Sequence, residues 1–174
     1  MNPNALVREI VAEFRKLEQA KDRPEWTKKV LTTLCKLGRR LGYTACAKSD
    51  PKEWLYDVSW SNCDTCGRLI SVPMVAECEW GTLEAIAYDF EKLLLARAAV
   101  RVMVYDAWSA RNSDEPVEFI NKKLREHVRT FNGACGDTYL LIALVWDDSS
   151  DTNRFEFAEI VDQGPGNSPI LQTL

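Results

Sequence analysis

A chain of 174 residues, 46% hydrophobic and 28% charged, has the composition of one ordinary globular domain, long enough to bury roughly 70% of the surface its unfolded form exposes. A formal net charge of −4 excludes a protein that coats nucleic acid over its whole surface, but not one with a local basic patch beside an acidic site. No apolar run reaches the roughly 18 residues of a membrane-spanning helix, and the charged start MNPNALVREIVAEFRKLEQ has no signal-peptide core, so a cytoplasmic protein is expected.

Leu6, Ile10, Phe14 and Leu17 recur at three- and four-residue steps and predict an amphipathic helix over residues 4–21. Asp22-Arg23-Pro24 breaks it. Pro24 and Glu25 suit the first turn of a second helix, carried through Val30, Leu31, Leu34, Leu37 and Leu41 and ended by Gly42. A short strand is expected over 43–48, a turn at Ser49-Asp50-Pro51, and an aromatic, β-branched strand from Trp54 to Trp60. The turn 61–67 leads into a long strand from Arg68 to Trp80. Pro73 is costly in a central ladder, so a bulge or an edge is expected there.

Gly81-Thr82 reads as a break and N-cap for a helix over about 83–97, with Glu84 in its first turn. Val100 to Tyr105 is nearly continuous apolar sequence, as in a strand buried on both faces. After the polar loop 109–114, Pro116 opens a helix to Phe131. Thr138 to Trp146 is a second buried strand, 147–153 a turn, Arg154 to Val161 a closing hairpin strand, and 163–174 an irregular tail. The order αα-βββ-α-β-α-ββ implies an α/β fold: a three-layer α-β-α arrangement around a mixed sheet, in a single domain. Its core order is α-βββ-α-β, with an extra N-terminal helix and C-terminal α-ββ additions.

Within the strands lies the acidic feature of most interest. Asp57 precedes Glu77-Cys78-Glu79 by twenty residues, and each carboxylate stands in apolar β sequence, where it is costly unless paired, hydrogen-bonded or bound to a metal. Solvent-facing positions of a half-exposed antiparallel sheet are the bland explanation. If the two strands pair as a hairpin, register can bring Asp57 beside Glu77. All-oxygen ligation would then favour Mg²⁺ or Mn²⁺, which can activate water against a phosphodiester.

An α-βββ-α-β order with Asp on the second strand and Glu-x-Glu on the third resembles the PD-(D/E)XK nuclease superfamily, over roughly residues 4–106. The resemblance implies Asp57 and Glu77 as metal ligands and puts Glu79 where the family usually has its lysine, a variant found in some restriction enzymes. It allows the basic group to come from the following helix, as Lys92 of Asp89-Phe90-Glu91-Lys92, and a first-helix carboxylate, Glu13 in preference to Glu9, to join the site. DNA would be the substrate, and a homodimer or another protein partner would fit.

Two helices carry basic faces that could meet phosphates: Lys28, Lys29, Lys36, Arg39 and Arg40, and Lys122, Lys123, Arg125 and Arg129. Such faces are more often merely solvated. The helix 116–131 decides between readings, because its cations serve a nuclease only if they flank the Asp57/Glu77 cleft. Its one histidine, His127, reads as an exposed helix residue.

Six cysteines (35, 46, 63, 66, 78 and 135) fit reduced thiols. Cys63-Asp64-Thr65-Cys66 is a lone CxxC between two strands, short of the four ligands a zinc knuckle needs. Three functions remain open: a Mg²⁺-dependent nuclease, a non-catalytic binding or adaptor protein on the same fold, and a partner protein that docks through exposed aromatics such as Trp60, Trp80 and Trp108.

Overall fold

Side-chain caps set the helix starts. Asn2 Oδ1 accepts from the Ala5 N–H at 2.8 Å, Asp22 Oδ1 from the Glu25 N–H at 2.9 Å, and Thr82 Oγ1 from the Ala85 N–H at 3.3 Å. The computed structural model describes residues 2–48, 54–132, 136–147, 152–164 and 166–174. They form helices α1 (Pro3–Phe14), α2 (Arg23–Arg40), α3 (Leu83–Leu94) and α4 (Pro116–Thr130). The strands are β1 (Thr44–Ala47), β2 (Val58–Cys63), β3 (Leu69–Glu79), β4 (Val100–Asp106), β5 (Thr138–Asp147), β6 (Thr152–Val161) and β7 (Ile170–Thr173).

The seven strands form one sheet whose spatial order is the chain order, β1 to β7. β3, β4 and β5 run parallel, and the remaining neighbours pair antiparallel. Side-chain alternation divides the core in two. Val58, Trp60, Ala76, Val102 and Leu140 pack with α1 and α2 on one face. Val75, Met103, Tyr105, Leu141 and Ile160 pack with α3 and α4 on the other. This is the three-layer α/β arrangement expected from the element order.

β4 is buried along its whole length, as its apolar run requires. Arg101 and Asp106 are its charged residues, and the Arg101 guanidinium donates to Ala96 O and lies 3.0 Å from Asp137 Oδ2, which ties the strand's start to the preceding loop. Pro73 sits at a register shift in which Val72 and Pro73 face the single residue Ser61, so the expected bulge is present.

Boundaries differ from the sequence reading most clearly at three places, beside α3 ending at Leu94 and β2 running on to Cys63. α1 stops at Phe14 rather than 21, because Lys29 Nζ takes the carbonyls of Glu18 and Gln19 and the Gln19 amide pairs with the Asn153 backbone. β2 begins at Val58, with 55–57 bent ahead of it. The tail expected to be irregular contains β7, paired with β6 from Ala158↔Thr173 to Val161↔Ile170. The turn expected at 49–51, most of the turn at 147–153 and Cys135 lie outside the described residues.

Candidate functional site: a carboxylate pair and a lysine

The ladder of β2 on β3 begins at Val58↔Ala76, which leaves Asp57 near enough to Glu77 for its charge to act on that carboxyl. The two were expected to converge, and they do, although Asp57 stands just ahead of β2. Two contacts hold Asp57: its Oδ2 accepts the Cys78 N–H at 3.0 Å, and its Oδ1 lies 3.4 Å from Lys48 Nζ. The backbone N–H of Lys48 also donates to the Asp57 carbonyl at 2.8 Å.

Glu77 is 1% exposed and faces α3. Helical side chains lean toward the N-terminus of their helix, so Lys92 reaches back one turn to Asp89 and down onto Glu77. Its Nζ is 2.9 Å from Asp89 Oδ1 and 2.7 Å from Glu77 Oε1. At 2.7 Å the contact of Lys92 with Glu77 Oε1 is a close ion pair.

Electrostatics follow from that burial. Desolvation above all, reinforced by the charges of Asp57 and Asp89, outweighs the attraction of Lys92 and pushes the Glu77 carboxyl up to about 7. Lys92 is desolvated too, which by itself favours the neutral amine, but its hydrogen bonds and attraction to Glu77 and Asp89 win and hold its pKa above the ordinary lysine value. Burial, followed by the nearby Glu77 charge, also raises the Tyr56 hydroxyl. A protonated amine thus stands beside a carboxyl poised near neutrality.

The remaining candidates are placed elsewhere. Glu79 shares the alternation of Glu77, but its Oε1 accepts the Gly81 N–H and closes the turn into α3. Glu13 belongs to α1 on the opposite face of the sheet and is paired with Lys16 at 2.8 Å and Arg40 at 3.1 Å. Among the described residues no three His, Cys, Asp or Glu side chains stand close enough together to hold a metal. Glu13 and Glu79 are therefore not gathered with Asp57 and Glu77.

α4 lies across α3 from the carboxylates: His127 Nδ1 is 3.5 Å from Glu91, the neighbour of Lys92 on α3, and its ring meets Phe90 edge-on. Lys122 and Arg129 are paired with Glu118 and Glu126 of their own helix, and Lys123 lies 5.5 Å over the Phe119 ring. The cations Lys122, Lys123, Arg125 and Arg129 therefore do not flank the Asp57/Glu77 pair.

Of the tryptophans expected as docking rings, Trp60 is fully buried and donates to Leu34 O, whereas Trp80 is partly buried and donates to Thr27 Oγ1. Trp108 alone of the three is 40% exposed.

Sequence reasoning missed Asp89 and Lys48 as members of this cluster. The i, i+3 spacing of Asp89 and Lys92 was a readable signal for the first. It also missed the buried Asp106 at the end of β4, which lies 2.8 Å from Arg23 Nη2 and accepts from the Trp108 N–H and Trp146 Nε1. No family profile matches the chain, and no characterised protein resembles it in sequence at a significant level.

Proposed function

We propose that the chain is a divalent-metal-dependent nuclease that hydrolyses DNA phosphodiester bonds at Asp57, Glu77 and Lys92. The observation that carries this reading is the placement of the Lys92 ammonium 2.7 Å from Glu77, with the Asp57 charge close by. That is the Asp, Glu and Lys set a PD-(D/E)XK site requires, with the lysine drawn from the following helix. The meander, crossover helix and parallel fourth strand around it accord with the same family.

The donor set suits Mg²⁺ or Mn²⁺. Magnesium keeps several waters and binds through one or two carboxylates together with substrate phosphate, so Asp57 and Glu77 suffice. The bound cation would polarise the phosphodiester and lower the pKa of a coordinated water. Lys92 holds Glu77 and Asp89 in place at rest. With substrate present, its charge stabilises the negative charge that develops on the phosphate. No described helix is long and apolar enough to cross a membrane.

A second reading, a non-catalytic binding or adaptor protein on the same scaffold, is favoured by two observations. Lys92 already neutralises the carboxylates, and the basic face of α4 lies beyond α3. Calorimetric titration of Mg²⁺ and Mn²⁺ into wild type, Glu77→Gln and Lys92→Met, beside a plasmid-nicking assay, separates the two. The nuclease reading expects metal binding lost in Glu77→Gln but kept in Lys92→Met, with nicking lost in both. Metal binding without nicking supports the binding protein. Neither binding nor nicking by wild type refutes the metal site.

A further inference from the structure

The hairpin that joins β2 to β3 projects as an arm in which residues 65–71 are all exposed. At its tip the Asp64 carbonyl accepts the Gly67 N–H and the Asp64 N–H donates to the Arg68 carbonyl, both at 2.9 Å. Asp64 Oδ1 takes the N–H groups of Cys66 and Arg68. Gly67, at φ 78°, reverses the chain immediately after Cys66 in a conformation that side chains resist. Cys63 and Cys66 stand three residues apart around this turn, and both thiols are free and exposed. The three other described cysteines are buried or half-buried. Beside the thiols, Leu69 (the register partner of Cys63) and Ile70 are 51% and 63% exposed.

We propose that Cys63 and Cys66 form half of a tetrahedral thiolate site for Zn²⁺, completed by the same pair from a second copy of the chain. The reading is independent of the Asp57/Glu77 site. A Cys-x-x-Cys turn supplies two of the four ligands a structural zinc demands, and among the described residues no third ligand stands with them. A two-fold axis through the metal supplies the other two from an identical tip, the simplest closed symmetry. It also gives the exposed Leu69 and Ile70 an apolar surface to cover. Binding deprotonates the four thiols, so assembly weakens as the pH falls.

The test is the mass of the reduced full-length chain by light scattering and native mass spectrometry, with Zn²⁺ and with EDTA, for wild type, Cys63→Ser and Cys66→Ser. Co²⁺ replaces Zn²⁺ as a spectroscopic probe. The expected result is a doubled mass carrying one Zn²⁺ per two chains. It should be reversed by EDTA and absent in either variant, with thiolate-to-cobalt charge transfer and tetrahedral d–d bands for Co²⁺. Both substitutions lie on the exposed hairpin arm, and an unchanged circular dichroism spectrum shows that they leave the fold intact. A chain that stays monomeric with Zn²⁺, or a dimer that survives EDTA or either substitution, overturns the proposal.

Discussion

Replacing Glu77 with Gln tests the electrostatics of the candidate site without reference to any substrate. Burial pushes this carboxyl up to about 7 in the folded chain, against 4.5 for an unperturbed glutamate. Between those values the folded state keeps a proton that the unfolded state has released. The associated stability is fully present below the unfolded value and is lost as the pH rises through the folded one. From about pH 5 to about pH 8 the loss integrates to roughly 2.5 kcal/mol, or about 5–10 °C in Tm for a domain of this size. Lys92, held above its ordinary value, stays protonated throughout that window and adds nothing to the slope. Glutamine keeps the shape and does not titrate. In thermal or urea denaturation over a pH series, Glu77→Gln should therefore lose little stability between about pH 5 and 8 while wild type loses the amount above. Parallel profiles for the two proteins would show that Glu77 is not desolvated as described, and the argument for a poised carboxyl would go with it.

Two further substitutions probe the scaffold. A Cβ at Gly38 would lie 2.6 Å from the indole nitrogen of Trp60, itself fully buried. Gly38→Ala should therefore cost a net of about 1–2 kcal/mol, strain in the core outweighing the gain in helix propensity, and an unchanged urea midpoint would contradict the close packing of α2 on β2. Arg23→Met leaves the fully buried Asp106 without its cation and should cost about 3 kcal/mol, partly recovered by adding Asp106→Asn. A single variant as stable as wild type would mean that the two tryptophan-side donors alone sustain that carboxylate.

Much of this architecture was legible in the sequence because its elements carry strong periodic signals. The cap at Thr82, the bulge at Pro73 and the apolar run of β4 each have one physical cause that acts locally. β7 was not legible: four residues behind a proline carry no pattern, and the strand exists because β6 offers it a partner. The early end of α1 depends on Lys29 and Asn153, which are near Gln19 only in the folded chain. The same division runs through the site. Asp57 and Glu77 could be paired by strand register, a local rule. The partner of Glu77 depends on the reach of Lys92 from a helix, and the removal of Glu79 to a turn depends on the shape of residues 79–81. Charged residues look alike in a sequence whether they ligate, cap or pair, and only the fold assigns them.

The sheet's order has a consequence for how the protein is made. Because each strand lies beside the one that precedes it in the chain, a nascent polypeptide can extend the sheet at a single advancing edge as it leaves the ribosome, with no strand having to be inserted between two already paired. Every intermediate then carries one advancing edge opposite β1, and the parallel β4 and β5 are the longest-lived hazards, since their crossovers must be synthesised before the next strand arrives. Completion removes the hazard at both ends: the finished sheet is bordered by β1 and β7, each of only four residues, too short to template the addition of a foreign strand.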